Sequence, residues 1–197
     1  MITTEQIKKL RDATGVSIMQ CKRALEEAEG DMKKALVVLN RKSHNLSSKK
    51  AGREFGSGAV QSYIHNTGTV GAMVVLSCET DFVAKNEDFK ALAYEIAMQI
   101  AATDPIFLKQ EDIKEEDIVP VREMMKKEVS DLKKDEEMKG KILQGKIDDY
   151  FKEKILLEQT FIKDESLTIK NMVERAIQKF GERIEITKFV RYSAPSK

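Results

Sequence analysis

Glu79-Thr80-Asp81-Phe82-Val83-Ala84-Lys85-Asn86 joins the most apolar run of the chain, Met73-Val74-Val75-Leu76, to a long helical pattern that begins at Glu87. A strand-length apolar run on one side and a helical face on the other make this stretch a strand-to-helix connection, and the fold class α+β. Such connections lie at the surface and carry function more often than the elements they join. This one sets the aromatic Phe82 between the anionic Asp81 and the cationic Lys85. Two readings stay open. In one, the ring is offered to a partner's pocket; in the other, Phe82 folds back under its own turn as a satellite of the core, as most aromatic residues do.

Upstream, Val60 to His65 and Val70 to Cys78 flank Asn66-Thr67-Gly68, the pattern of a β-hairpin. The second strand is apolar on both faces, which places it in the middle of its sheet. Downstream, Asn86 is positioned to cap a helix whose Phe89, Leu92, Ala93, Ile96, Ala97 and Ile100 recur at spacings of three and four, until Thr103-Asp104-Pro105 stops it. A charged, helix-rich region follows from Glu116 to Lys154. Pro120 lies near a helix start there, Gly140 and Gly145 read as interruptions, and Val121, Met124, Met125 and Val129 form the expected buried stripe. Ile169, Met172, Val173, Ala176 and Ile177 make a further amphipathic helix ended by Gly181, and Ile184 to Tyr192 reads as a closing strand.

Toward the N-terminus, Thr3-x-x-Gln6 and Ser17-x-x-Gln20 have the capping-box form, in which hydroxyl and amide side chains satisfy each other's free backbone donors. They start two helices, with Gly15 as the turn and Gly30 as the stop, and Asp31 caps a third. Ile7, Leu10, Cys21, Ala24, Leu25, Ala28, Ala35, Leu36 and Leu39 supply a small three-helix core. The domains read as a three-helix module over 1–42, a polar linker over 43–57 and an α+β core over 58–197. About 40 residues are marginal by themselves, so the module is expected to draw stability from a neighbour or partner. Gly56-Ser57-Gly58 is no phosphate loop, because no third glycine, no GK[ST] and no following helix accompany it.

With 41% apolar and 34% charged residues the chain can bury a core. The net charge is +1, but residues 1–56 hold twelve Lys/Arg against seven Asp/Glu, a balance of +5 that leaves −4 for the remainder. A basic front half suits an acidic partner surface without being the cluster of a dedicated nucleic-acid binder. The first residues carry neither a cationic n-region nor an apolar h-region, and no apolar run approaches the roughly 18 to 20 residues of a membrane span. A cytoplasmic protein is expected. Cys21 and Cys78 lie far apart without CxxC spacing, as reduced thiols do. With His44 and His65 they lack metal-ligand pairing, and the carboxylates look like solvated helix faces, so no metal, cofactor or catalytic activity is expected.

Glu79 to Asn86 resembles the signature of the elongation factor Ts family. Leu10-Arg11, Thr14-Gly15 and Cys21-Lys22-Arg23-Ala24-Leu25 resemble the ubiquitin-associated type of module that opens such proteins, and Ile155 to Asp164 resembles a family segment that crosses the core as an extended piece. The resemblance implies a guanine nucleotide exchange factor acting on elongation factor Tu with GDP bound. Asp81 and Phe82 would reach the partner near its magnesium and phosphate site, with Thr80 and Val83 in the same loop. It also puts Arg11, Ile18, Met19 and Lys22 of the module, and His65 of the hairpin, at the partner. This chain has Ser17 and Ile18 where the family usually shows glycine and methionine, and Gln20 where it shows aspartate. Ile18 and Met19 can equally be a hydrophobic helix start packed on Leu36. The family often continues with a glycine-rich tail after the closing strand, which Ser193 to Lys197 does not. Longer relatives carry two sheet-bearing units, whereas the hairpin occurs once here, so a non-covalent homodimer is expected to restore the pair. The alternative is an RNA-binding or ribosome-associated adaptor using the basic front half; an unrecognised hydrolase ranks last.

Overall fold

Three helices begin the chain because each is bounded by a residue that can satisfy its free backbone groups. In the computed structural model, which describes residues 2–132 and 134–194, helix α1 spans Thr4–Thr14 with the complete Thr3–Gln6 capping box and a left-handed Gly15 at its end. Helix α2 spans Ile18–Glu27 and is capped by Ser17, though without the reciprocal Gln20 contact. Asp31 caps α3, Met32–Lys50, by accepting the Lys33 and Lys34 amides at 2.8 and 3.0 Å. Their core is Leu10, Val16, Cys21, Ala24, Leu25, Ala28, Ala35 and Leu39; Val16 joins the expected residues, and Ile7 and Leu36 pack against the cluster only partly buried.

Helix α3 continues through Met32–Lys50, so the first half of the expected linker is helix. Several of its polar residues find partners on α8, Ile169–Phe180, or on Gly181 just after it. Ser43 is buried and bonds Gln178, His44 meets Glu174 at 2.8 Å, Asn40 accepts from Arg175 at 3.2 Å, and Lys50 bonds the Gly181 carbonyl. A polar helix face reads as solvated when its partners lie more than a hundred residues away.

Strands β1, Ser57–Ile64, and β2, Val70–Cys78, form the hairpin. Strand β5, Ile184–Ser193, pairs antiparallel with the other edge of β2, giving the order β1-β2-β5 with β2 central. Alternate residues Ala72, Val74, Leu76 and Cys78 point to the buried face. Helix α5, Glu87–Thr103, buries Phe89, Ala93, Ile96, Ala97 and Ile100. It touches the sheet through Tyr94 edge-on to Tyr63 and α8 through Phe89 edge-on to Phe180. The opposite face of the sheet leaves Val60, Ile64, Met73, Val190 and Tyr192 exposed.

The chain divides into two compact units, one made of the described residues of Met1–Ala101 and Lys170–Lys197, the other of Ala102–Ile169. The three-helix module therefore shares a unit with the sheet, and the sequence expected to be one core from 58 to 197 supplies both. The second unit holds α6, Glu115–Ser130, and α7, Glu136–Lys154, as a helical hairpin. Gly140 and Gly145 lie inside α7 and interrupt nothing. Of the expected stripe, Val129 is buried but Met124 is exposed. Ile155 to Asp164 is no simple extended crossing: a 3-10 turn at Leu156–Glu158 leads into the short strand β3, Thr160–Phe161, which pairs with β4, Asp164–Thr168. Among the described residues no helix is long and apolar enough to cross a membrane. Pro195 to Lys197, where the tail departs from the resemblance, lie outside the described residues.

Candidate functional site

The connection after β2 is a single helical turn, α4, Asp81–Ala84, rather than an open loop. Thr80 keeps extended dihedrals, φ −126° and ψ 155°, and its hydroxyl accepts the Val83 amide at 3.5 Å. The Ala84 amide donates to the Thr80 carbonyl at 3.2 Å and the Lys85 amide to Asp81 at 3.0 Å. Asn86 then caps α5, accepting the Asp88 amide at 2.9 Å. Helical geometry places Phe82 and Val83 about 100° apart around the turn, so one faces out and the other in. Phe82 is 80% exposed and Val83 3%. The fold-back reading of Phe82 fails. Val83 is corrected as well: it anchors the turn from beneath and offers a partner no surface. Asp81 pairs with Lys85 at 2.6 Å, and the hydrogen bond from that ammonium holds its carboxyl below the usual carboxylate range.

Beneath the turn lies a crossed pair of carboxylates. Glu182, on the segment between α8 and β5, accepts the Glu79 and Thr80 amides on Oε2 at 3.1 and 3.0 Å and the Thr80 hydroxyl on Oε1 at 2.6 Å. Glu79 in return accepts the Arg183 amide and is paired with Arg53 at 3.0 Å. Arg183 stacks its guanidinium 4.1 Å from the Phe55 ring centroid and reaches Glu185. Sequence reasoning missed Glu182, Glu79, Arg53 and Arg183 as parts of this arrangement. A carboxylate just after a helix-ending glycine has no periodicity or motif to betray it.

Arg11, Ile18, Met19 and Lys22 are all exposed around the α1–α2 turn, with Ile18 at 55% and Met19 at 60%. Packing on Leu36 does not cover them. Gly15 in that turn lies against Lys179 of α8: a Cβ there would sit 3.2 Å from the Lys179 Cδ. The Lys179 ammonium pairs with Asp88 of α5 at 2.6 Å. One lysine thus ties the module's turn to the residue just past the signature turn. His65 is elsewhere. It lies at the hairpin tip, hydrogen-bonded to the Tyr63 hydroxyl at 3.2 Å, at the end of β2 opposite to Thr80. A strand of that length spans on the order of 25 to 30 Å at about 3.3 Å per residue, so His65 and Phe82 form no single site.

Cys21 and Cys78 are buried and unpaired. Burial pushes both thiols up, and for Cys78 the neighbouring Glu182 carboxylate adds to the effect. Among the described residues no group of three or more His, Cys, Asp or Glu could hold a metal ion. The turn is thus capped, braced by Glu182 and Val83, and carries one exposed apolar ring, Phe82.

Comparison with known proteins shows the family. A family model described as Elongation factor TS matches residues 27–195. Elongation factor Ts of Carboxydothermus hydrogenoformans is 45% identical over 192 residues, covering 98% of this chain and 88% of that protein. The Thermosipho melanesiensis protein of the same name is 42% identical over 193 residues, with 98% of each chain covered. The chain belongs to the elongation factor Ts family, and with it to the translation elongation factors.

Proposed function

We propose that this protein is the guanine nucleotide exchange factor of elongation factor Tu, promoting GDP release by pressing the Thr80–Asn86 turn against the partner's magnesium and phosphate site. The observation that carries the reading is Phe82, exposed on a turn held by hydrogen bonds on one side and by buried Val83 and Ala84 on the other. Pre-positioning spares the entropy of ordering a loop on binding. An exchange factor binds the nucleotide-free shape of its partner more tightly than the loaded one, and linkage then requires that nucleotide lower the factor's affinity equally. One ring is not enough. Ten-thousandfold faster release requires about 5.5 kcal/mol, at roughly 1.4 per decade, while burying a Phe supplies about 1.5 to 3. Arg11, Ile18, Met19 and Lys22 are the proposed second contact, and His65 a third at the far end of the sheet. The protein acts without cofactor in the cytoplasm, and nucleic acid is not its direct partner.

Phe82→Ala removes an exposed ring, so thermal stability stays within about 0.5 kcal/mol while release of a fluorescent GDP analogue, followed by stopped flow, slows at least tenfold. A release rate equal to the parent protein's refutes the reading. Binding that collapses steeply with rising salt would favour the RNA adaptor instead.

The homodimer belongs to the same proposal. The exposed sheet face carries Val60, Ile64, Met73, Val190 and Tyr192 and a cavity of about 340 Å³, and monomers rarely leave a contiguous apolar patch of that kind unpaired. A second copy stacked through a two-fold axis would cover it. Sedimentation equilibrium at micromolar concentration, under reducing conditions, is expected to give twice the 22.4 kDa chain mass; an active species at the single mass rules the dimer out.

A further inference from the structure

We propose that Glu182 is the positioning residue of the exchange turn: its carboxylate sets the direction in which Phe82 points. The inference rests on the exchange reading above and deepens it. A helical turn of four residues does not hold itself, since nucleation fixes several dihedrals for one hydrogen bond. The orientation of α4 must therefore come from outside.

Apolar burial and hydrogen bonds could each supply it. Val83 and Ala84 are buried beneath the turn, but apolar burial is non-directional and fixes depth more than rotation. Hydrogen bonds are directional. The Cys78 thiol donates to the Thr80 carbonyl at 3.2 Å, a weak sulfur donor, while the charge-assisted bonds to Thr80 converge on Glu182. The amides of Glu79 and Thr80 lie past the last ladder pair, Cys78 with Ile184, and both donate to Oε2. The Thr80 hydroxyl donates to Oε1 at 2.6 Å, a charge-assisted bond of the strong class. With its proton committed to the carboxylate, that hydroxyl turns a lone pair toward the Val83 amide. The relay runs from Glu182 through Thr80 to the Val83 amide of α4, and Phe82 is carried on it. Glu182 is itself fixed by the neighbouring bond from the Arg183 amide to Glu79, so the start of β5 and the end of β2 lock the turn from both directions.

Glu182→Gln keeps the shape and removes the charge. Its carbonyl can still accept the two amides, but its NH2 then faces the Thr80 hydroxyl and competes with Val83 for the same oxygen. Two measurements test the proposal. In the free protein, hydrogen exchange at the amides of Val83, Ala84 and Lys85 is expected to quicken about tenfold in Glu182→Gln, with amides in the middle of β2 and β5 unchanged; Thr80→Val, which cuts the relay at its next member, should do the same. In the exchange assay at saturating factor, Glu182→Gln slows maximal GDP release about tenfold, and adding it to Phe82→Ala has no further effect, because groups acting in series are not additive. Unchanged protection of the turn, or a Glu182→Gln defect that persists in full on the Phe82→Ala background, overturns the positioning role. If Phe82→Ala alone leaves release unchanged, the exchange reading falls, while the hydrogen-exchange result still decides whether Glu182 orients the turn.

Discussion

Glu79 serves the β5 side of the junction by accepting the Arg183 amide, and its role there carries a pH dependence. The Arg183 amide bond, followed by the Arg53 pairing, holds the Glu79 carboxyl below the usual glutamate range. A carboxylate with a lowered folded-state pKa contributes stability that is fully present above its unfolded value, about 4.3, and lost as pH falls through the folded value. Replacing Glu79 by Gln removes that linkage. Melting curves from pH 7 downward should therefore show the parent protein more stable than Glu79→Gln at neutral pH, with the gap narrowing below about pH 4.3; a gap that is constant across the range would mean that Glu79 acts through packing alone. At this scale the sequence was legible where chemistry is local. Thr3, Gly15, Asp31 and Asn86 each act within a few residues of their own position. Glu182 was not legible, because its three donors lie more than a hundred positions earlier in the chain.

Among the elements, α3 and α7 show what short-range signals miss. In α3, Asn40, Ser43 and His44 are held by α8 and Lys50 by the Gly181 carbonyl just beyond it, and the glycines of α7 are tolerated because Asp135 caps it, Lys139 and Lys141 pair with Glu136 and Glu137, and Ile147 and Phe151 are buried. Glycine in a helix interior still costs roughly 1 kcal/mol relative to alanine. Gly140 has open space around its Cβ position, whereas Gly15 has φ +68° and Lys179 close by. Opposite outcomes are expected: Gly140→Ala raises stability by about 0.5 to 1 kcal/mol, and Gly15→Ala lowers it by about 1 to 2 kcal/mol through the left-handed backbone. Denaturant midpoints measure both. The same sign for the two would refute the assignment of one to a helix interior and the other to a cap.

For the whole molecule, the periodicity of apolar residues was enough to place the hairpin, α5, α8 and the closing strand, since each buries one face. It could not divide the chain, because the described residues of Lys170–Lys197 belong with those of Met1–Ala101, and Ala102–Ile169 forms a unit of its own between them in sequence. That order has a consequence in time. Strand β2 has β1 beside it as soon as the hairpin is made, but its other neighbour, β5, is encoded beyond the whole helical unit. At about 5 to 20 residues per second, a ribosome needs on the order of 5 to 20 s to deliver the stretch between them. Throughout that interval the long edge of β2 is unpaired and Thr80 waits for Glu182, so during each round of its own synthesis this translation factor passes through a state with an open sheet and an unset turn, one that a chaperone can bind and that the arrival of β5 closes.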